Sequence, residues 1–206
     1  MKVLIINGSP HESGNTAIAL REAEKTLNQE GIETVFYDVG KMNIAGCIDC
    51  GHCRKNDGCV FGDIVNEISA QFKEADGLLV GTPVYYANTN ATLMALMQRL
   101  FYSSRFPKAM KVGAAVAVAR RSGTTASFDE MNKFFTISGM PVASSTYWNN
   151  VYGSEPGDAR QDLEGLQTMR YLGKNMAFLI KSIALGKERY GLPAKEETRE
   201  ETDFIR

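Results

Sequence analysis

Short apolar runs and amphipathic stretches alternate along the chain, which is typical of a parallel sheet with helices on both faces. The apolar runs predict five buried strands, at Lys2–Ile6, Glu33–Asp38, Gly77–Gly81, Lys111–Ala119 and Val142–Trp148. Helical spacing of apolar residues predicts helices from Asn15 to Gln29, from Asp63 through Phe72, from Ala91 to Tyr102, from Phe128 to Ile137 and from Leu163 to Gly186. This alternation indicates an α/β fold with a doubly wound sheet of five parallel strands.

The chain length and the absence of linkers indicate one domain. The 206 residues contain no stretch rich enough in Pro, Gly or Ser to separate two units. We therefore assign residues 1–186 to a single domain that carries a cysteine-rich segment at 42–62, here called the cysteine loop. Residues 187–206 are densely charged and interrupted by Gly191 and Pro193, which predicts a tail that adds little to the core.

The first strand leads directly into GSPHESGNT, residues 8–16, here called the first loop. A buried strand followed by small hydroxyl and amide residues at a helix start is typical of a phosphate-binding turn, because the unpaired N–H groups of the helix face the loop. Its glycines match neither the G-x-G-x-x-G of dinucleotide sites nor the Gly-Lys of ATP loops. A terminal monophosphate, as in FMN, fits better. The alternative is an ordinary turn whose Ser and Asn residues cap the helix.

Two further loops follow strands that end at the same edge of the predicted sheet, where ligands of such folds bind. They are TPVYYANTN, residues 82–90, here the second loop, and ARRSGTT, residues 119–125, here the third loop. Pro83 fixes the backbone, Tyr85 and Tyr86 offer flat surfaces, and Asn88 both donates and accepts hydrogen bonds. That combination suits an isoalloxazine ring, although two adjacent tyrosines are also common as packing residues.

These segments resemble those of flavodoxin-like NAD(P)H-dependent FMN reductases, in which GSPxxxGNT and TPVYYxN recur, and the resemblance extends to about Leu185. It implies a flavodoxin-like fold, bound FMN and NAD(P)H as co-substrate. It implies FMN contacts at Ser9, His11, Ser13, Asn15 and Thr16 for the phosphate, at Pro83, Val84, Tyr85, Tyr86 and Asn88 for the ribityl chain and ring, and at Ala119, Arg120 and Gly123 on the third side. The chain departs from the pattern at His11, where relatives often have Arg, and at Ala87, where Gly is frequent. Its third loop also has fewer glycines than is usual.

All four cysteines fall in the cysteine loop, in the segment GCIDCGHCRKNDGC: Cys47, Cys50, Cys53 and Cys59. Cys-x2-Cys-x2-Cys is typical of the compact runs that hold an iron-sulfur cluster. Zinc ranks lower, because its four thiolates usually come as two separated pairs. The spacing also resembles that of archaeal and bacterial iron-sulfur flavoproteins, which implies a [4Fe-4S] cluster beside FMN. Reduced thiols without a metal are the alternative.

Charge and the amino-terminal pattern narrow the class of partner. The net charge of -1 predicts neither a nucleic-acid surface nor attraction to an anionic membrane. The opening MKVLIING has too short an apolar part for a secretory signal, and clustered cysteines suit a reducing compartment. We therefore expect a cytoplasmic protein whose partner is a small-molecule or protein electron acceptor.

Three functional hypotheses follow. The chain has two histidines and no evident Ser-His-Asp set, so hydride transfer by a flavin is favoured over acyl transfer. The leading hypothesis is an FMN oxidoreductase that passes electrons from NAD(P)H to a quinone, a flavin, a nitro compound or a protein carrier. The second is an electron-transfer protein that relays electrons between FMN and the cluster. The third is a non-enzymatic thiol redox or metal sensor.

The helix that begins at Ala91 carries apolar residues on more than one face. Leu93, Leu96 and Leu100 lie at one spacing, and Met94 and Phe101 lie at another. One face is expected to meet the sheet, which leaves the other for a second subunit or for a deeper core. The family resemblance implies a homodimer or homotetramer.

Overall fold

The computed structural model describes residues 1–193 and the single positions 200, 202 and 204. Its strands are β1 (Lys2–Asn7), β2 (Glu33–Asp38), β3 (Gly77–Tyr85), β4 (Asn88–Thr89), β5 (Val112–Ala119) and β6 (Asn150–Tyr152). Its helices are α1 (Asn15–Gln29), α2 (His52–Lys55), α3 (Ile64–Glu74), α4 (Ala91–Ser103), α5 (Thr124–Ile137) and α6 (Leu163–Tyr190), with a 3-10 turn at Asp158–Arg160. Within the described residues, no helix has the length and apolar character needed to cross a membrane.

The sheet has the strand order β2-β1-β3-β5-β6, and all four pairings along it are parallel. The short strand β4 pairs antiparallel with β3 at one end. The chain moves outward from β1 to β2 and then returns to place β3 on the other side of β1. Such a reversal opens a crevice at the carboxyl ends of β1 and β3. The predicted doubly wound sheet of five parallel strands is therefore confirmed.

The unbroken apolar character of β1 follows from burial on both of its faces. Val3 and Ile5 join one apolar cluster, which α1 and α6 cover. Leu4 and Ile6 point the other way, into a second cluster shared with α3, α4 and α5. Because successive side chains of a strand alternate between faces, a central parallel strand needs apolar residues at every position.

The predicted fifth strand at Val142–Trp148 is wrong. The chain makes a single bridge there, between Val142 and Gly113, and the pairing strand is β6 at Asn150–Tyr152. The intervening residues include four with polar side chains, Ser144, Ser145, Thr146 and Asn149, which do not suit a strand with two apolar faces. Pairing with β5 resumes where the Ala117 N–H donates to the carbonyl of Asn149 at 3.0 Å.

Several element ends also differ from the sequence prediction. β3 continues four residues beyond the predicted Gly81, and α5 begins one turn earlier, at Thr124 rather than Phe128. α6 does not end at Gly186 but continues to Tyr190, so the charged tail begins as helix. Lys187 and Arg189 lie in its last turn, where positive side chains interact favourably with the helix dipole. The rest of the predicted tail falls largely outside the described residues.

The second apolar face of α4 belongs to the core. Met94 and Phe101 pack against the cluster on the α3 side of the sheet, and the Phe101 ring centroid lies 5.9 Å from that of Phe72 and 5.3 Å from that of Phe134. Of the two alternatives, the structure shows the deeper core at these positions. Tyr102, with 69% of its surface exposed, is the large apolar side chain that α4 presents to solvent.

Candidate functional site

The three loops meet at the carboxyl edge of the sheet. The Gly8 N–H donates to the carbonyl of Gly81 at 2.8 Å, which joins the first loop to β3 just before the second loop. The second and third loops touch at Gly123, where a Cβ would lie 2.7 Å from the Cα of Ala87 and 2.8 Å from a methyl of Val84. Gly123 has a φ of +91°, so both its conformation and its surroundings favour glycine.

The first loop is held by residues of β1 and of the segment that follows β2. The buried Ser9 donates its N–H to Asn7 Oδ1 at 3.0 Å, and Asn7 Nδ2 donates to Asp38 Oδ1 at 2.7 Å. Ser9 Oγ accepts the His11 N–H at 3.1 Å. Gly40 lies against this turn so closely that a Cβ would be 2.1 Å from the carbonyl carbon of Ser9. The loop is therefore shaped by the protein itself, before any ligand binds.

Sequence reasoning did not identify Asn7 or Gly40 as parts of this site. Asn7 is completely buried at the end of β1, directly after the apolar residues 3–6. A polar residue at that position was the available signal, because a buried amide needs hydrogen-bond partners and these lie at the strand end. Gly40 gave no such signal, since its contact with Ser9 exists only in the folded chain.

The amino terminus of α1 presents free N–H groups to the first loop. Gly14 precedes the helix and makes no side-chain cap, and the N–H groups of Asn15, Thr16 and Ala17 have no acceptor among the described residues. The first helical bond that forms is from the Ile18 N–H to the carbonyl of Gly14. Three convergent donors at the positive end of a helix dipole favour a small dianion such as a phosphate monoester.

The predicted phosphate contacts have different surroundings. Thr16 and Ser9 are buried beside the free N–H groups, whereas His11 and Ser13 are exposed at the rim. Asn15 is engaged elsewhere in the fold: its Oδ1 accepts the N–H groups of two residues near the 3-10 turn, and its Nδ2 donates to a carbonyl there. The structure thus shows Asn15 holding a neighbouring segment.

That segment, residues 153–159, forms a further wall that the sequence analysis did not include. Asn15 bonds it through Glu155, Gly157 and Ala159, at 3.0 to 3.1 Å. The Gly153 N–H donates to the carbonyl of Ala119 at 3.1 Å, which connects the segment to the third loop. Its Gly and Pro content after the last strand was the signal that could have identified it.

The second loop is a tight hairpin. Tyr85 pairs with Asn88, and the two residues between them, Tyr86 and Ala87, have φ values of 48° and 60°. Positive φ at both central positions is the arrangement of a type I′ turn, and it is uncommon for residues other than glycine. Tyr86 is fully exposed and Tyr85 is 44% exposed, so neither is a core packing residue in this chain. Both rings are available to a flat ligand.

The base of the second loop is rigid and leads into α4. The buried Thr82 accepts the Asn90 N–H at 3.0 Å through Oγ1, and Asn90 Oδ1 accepts the Leu93 N–H at 3.1 Å. Asn90 is thereby the N-cap of α4. Pro83 and Val84 are half-buried between this base and the hairpin.

The third loop contributes one buried and one exposed residue to the predicted set, in addition to Gly123. Ala119, the last residue of β5, is 6% exposed. Arg120 extends into solvent and, in the described part of the chain, makes no side-chain hydrogen bond or ion pair. Arg121 beside it is likewise exposed and unpaired within the described residues, so both side chains are available to an anionic ligand.

The four cysteines line one pocket between the cysteine loop and α4, here called the cysteine pocket. All are free thiols: Cys47 and Cys50 are exposed, and Cys53 and Cys59 are half-buried. Among the described residues, no three Cys, His, Asp or Glu side chains converge closely enough to hold a metal ion as they stand. The pocket therefore brings the four predicted ligands together, but they do not form a ready-made metal site.

Cys59 is the thiol that the fold holds most firmly. Its N–H donates to Asn66 Oδ1 at 2.7 Å, and its carbonyl accepts from Asn66 Nδ2 at 2.9 Å. Its Sγ accepts a hydrogen bond from Arg99 Nε at 3.3 Å. Arg99 also forms a two-point ion pair with Asp63, at 2.8 and 2.7 Å. The hydrogen bonds from Arg99 lower the pKa of Asp63 in spite of its partial burial.

Arg99 and Ser103 were not predicted as site residues. They lie four positions apart on α4, on the side that also carries the buried Leu96 and Leu100. Ser103 Oγ is buried and has no hydrogen-bond partner among the described residues. A buried hydroxyl without a partner and a thiol set in one pocket fit a group that accepts hydrogen bonds, as the sulfurs of an iron-sulfur cluster do. The sequence signal that could have identified Arg99 was an arginine placed at the spacing of the buried residues of α4.

Comparison with known proteins gives a consistent set of relatives. The sequence profile described as NADPH-dependent FMN reductase matches residues 1–154. An iron-sulfur flavoprotein of Methanocaldococcus jannaschii is 38% identical over 195 residues, which cover 89% of this chain and 99% of the relative. A flavodoxin from the domain Archaea superposes with a TM-score of 0.59 at 16% identity, covering 88% of this chain and 99% of the other. An NAD(P)H:quinone oxidoreductase from Methanothermobacter marburgensis has a TM-score of 0.66 at 16% identity, covering 85% and 98%.

Proposed function

Because the chain belongs to the NADPH-dependent FMN reductase family, we propose that it is an FMN oxidoreductase that takes electrons from NAD(P)H and passes them to an acceptor. The acceptor is a quinone, a flavin, a nitro compound or a protein carrier. The observation that carries this proposal is the first loop, in which three free N–H groups of α1 face a turn already fixed by Asn7 and Ser9. That arrangement suits a terminal phosphate.

The chain's own residues bind and orient the cofactor. The N–H groups of α1, with the hydroxyls of Ser9, Ser13 and Thr16 and the rim residue His11, would hold the phosphate. Asn15 would contribute indirectly, by holding the 153–159 segment in place. Bound FMN supplies the capacity to accept hydride and to release electrons one at a time or in pairs.

The remaining contacts divide between the other two loops. Pro83, Val84 and Asn88 would line the ribityl chain, and Tyr85 and Tyr86 would cover the ring and exclude water from it. Ala119 and Gly123 close the third side with little bulk. Arg120 is free to meet the phosphate of the nucleotide co-substrate, which is why we include NAD(P)H in the proposal.

The cysteine pocket favours a second candidate function, in which the protein relays electrons through a [4Fe-4S] cluster held by Cys47, Cys50, Cys53 and Cys59. The supporting observation is that one pocket collects all four thiols, a buried arginine and an unpartnered hydroxyl. The relative from Methanocaldococcus jannaschii is named an iron-sulfur flavoprotein. The helix α4 begins beside the second loop and passes the pocket, so the two sites share a rigid element.

The expected setting follows from the same features. Four free thiols persist most readily in a reducing compartment, so we place the protein in the cytoplasm. A homodimer or homotetramer stays a prediction from the family resemblance. The hypothesis of a thiol sensor without flavin is less favoured, because it does not explain why the first loop is fixed and presents free N–H groups.

Anaerobic purification followed by cofactor analysis tests the proposal. We expect about one FMN per chain, together with iron and acid-labile sulfide. Addition of NADPH or NADH without oxygen should bleach the flavin absorbance, and a quinone should restore it. Iron and sulfide with a flavin that neither nucleotide reduces would favour the relay. A colourless protein that takes up no FMN would contradict both functions.

A further inference from the structure

Arg99 is among the largest side chains that the fold buries completely, with 1% of its surface exposed, and it lies on the wall of the cysteine pocket. Burial of a guanidinium is costly unless its N–H groups are satisfied. Nε donates to Cys59 Sγ, Nη1 to the Ala45 carbonyl and Asp63, and Nη2 to Asp63. The ring of Phe61 covers its face, with its centroid 4.6 Å from Cζ. The fold therefore fixes a positive charge against one thiol.

Ser103 adds a second donor on the same face of α4, one turn later. It is 2% exposed, it lines the same pocket, and its Oγ has no partner within the described chain. A buried hydroxyl left unpaired carries a free-energy cost, because it has lost its hydrogen bonds to water. That cost is removed if the occupant of the pocket accepts the hydroxyl proton in a hydrogen bond.

We propose that Arg99 and Ser103 raise the reduction potential of the iron-sulfur cluster that the four thiols hold. The inference rests on the cluster assigned under the proposed function. Hydrogen bonds to the sulfurs and the net charge near a cluster set its potential. When the cluster takes up one electron its negative charge grows, and a nearby fixed positive charge favours that state. No bond forms or breaks in the step.

Asp63 allows a second test of the proposal, because its charge should shift the cluster potential in the opposite direction from that of Arg99. Its carboxylate lies against the guanidinium and offsets part of the positive charge that reaches Cys59. Loss of the carboxylate charge should therefore raise the cluster potential, whereas loss of the guanidinium charge should lower it. Arg99 acts here as a positioning residue. A merely structural role would weaken the fold in both variants without moving the potential in opposite directions.

The test is a potentiometric titration of the cluster in anaerobic holoprotein, followed by electron paramagnetic resonance, with bound FMN as internal reference. Arg99→Gln should lower the equilibrium constant for cluster reduction about tenfold, which is 59 mV for a one-electron couple. Ser103→Ala should lower it by less. Asp63→Asn should raise it while an amide at position 63 retains the cap on the Val65 N–H.

Arg54→Gln is the matched control, because Arg54 lines the same pocket with a side chain that is 74% exposed and 3.6 Å from Asp49. Water and salt screen that charge, so its removal should change the constant less than about twofold. Equal potentials in native, Arg99→Gln and Asp63→Asn proteins would overturn the inference. So would shifts of the same sign in the two variants.

The experiment distinguishes failure of this inference from failure of the proposed function on which it rests. If Arg99→Gln does not retain iron, Ser103→Ala and Asp63→Asn decide the matter, because Ser103 has no bond to lose. Native protein that binds FMN but neither iron nor sulfide would overturn the cluster and this inference together. If the cluster is fully loaded but its potential is the same in all three variants as in native protein, the inference is overturned and the proposed function is not.

Discussion

The first loop follows β1 and the cysteine loop follows β2, so both lie after strands that end at the carboxyl edge of the sheet. The fold nevertheless holds them in different ways. In the first loop, the buried Ser9 packs against Gly40 and bonds to Asn7, and the loop continues into α1. The cysteine loop has mostly exposed residues, and its firm contacts gather at Cys59, from Asn66 and Arg99. Cys47 and Cys50 are exposed at its outer end.

The difference shows which site the protein forms alone. The N–H donors at the first loop already face one place, because the start of α1, the Asn7 side chain and the close contact with Gly40 fix the backbone there. The thiols share a pocket but do not converge among the described residues. The proposed cluster would have to bring these thiols together when it binds, since the binding energy of a metal centre also orders its ligands. We therefore expect FMN binding and iron binding to respond to different substitutions.

The largest effect should come from filling the space at Gly40. In Gly40→Val the new Cβ would meet backbone atoms of Ser9, which cannot move aside, so the first loop must shift. We expect FMN affinity to fall about a hundredfold, corresponding to about 2.8 kcal/mol. We also expect a loss of about 3 kcal/mol in the free energy of unfolding. Fluorescence titration with FMN and urea denaturation measure the two.

Gly46→Val is the matched control for that substitution. Gly46 lies in the cysteine loop, and a Cβ there would meet no atom within 4 Å. Its effect on unfolding should stay within about 0.5 kcal/mol. Equal effects of the two substitutions on FMN affinity would show that the first loop is not fixed as described.

The next effect separates the two sites chemically. Cys59→Ser removes the thiol that Arg99 and Asn66 hold, and we expect iron affinity to fall about a hundredfold or more while FMN content stays unchanged. His52→Ser places the same side chain elsewhere on the pocket wall and should retain iron. Iron and FMN assays on anaerobically purified protein decide this. Loss of FMN in Cys59→Ser would contradict the independence of the sites.

A smaller effect concerns Asp63 and pH. Its folded pKa lies below the ordinary range, so its pairing with Arg99 stabilises the fold above that range and is lost as pH falls through the folded value. Asp63→Asn should cost about 2 kcal/mol at pH 7. The difference from native protein should shrink below about pH 4. Urea denaturation across this range measures it.

The control for Asp63 is Asp49→Asn in the cysteine loop. The Asp49 side chain is 85% exposed, and its nearest contact with Arg54 is 3.6 Å. An exposed pair of this kind contributes less than about 1 kcal/mol, so Asp49→Asn should change the free energy of unfolding by less than that amount. A difference between native and Asp63→Asn protein that stayed constant from pH 7 to pH 3 would contradict the ion pair's contribution.

The smallest effect tests the hairpin of the second loop. Ala87 has a φ of 60°, which glycine adopts without strain. Ala87→Gly should therefore stabilise the protein by about 0.5 kcal/mol. Ala126→Gly, at an exposed position of α5, should instead destabilise it by about 0.8 kcal/mol. Thermal unfolding compares them, and equal destabilisation by both would contradict the strain at Ala87.

The sequence was sufficient to predict the fold class and the family, because these depend on local patterns. The two-faced burial of β1 is written as an apolar run, and the family resemblance rests on contiguous segments such as GSPHESGNT. The fifth strand was misplaced because Val142 and Ala143 look like a strand locally, while pairing continues only at Asn150.

The site could be predicted only in part, since some of its supports come from distant parts of the chain. Arg99 reaches Cys59 across 40 residues, and Asn15 reaches Ala159 across 144. No local pattern records such contacts. Asn15 illustrates the consequence: its position in the motif implies a phosphate contact, whereas its side chain also holds the 153–159 segment in place.

The central claim is that the amino terminus of α1 binds the phosphate of FMN. It is tested most directly by calorimetric titration of flavin-free protein with FMN and, separately, with riboflavin, which lacks that phosphate. Saturable binding of FMN with an affinity about a hundredfold above that of riboflavin is the predicted result, because two or more charged hydrogen bonds are lost with the phosphate. Equal affinities, or no saturable binding of FMN, would contradict the claim.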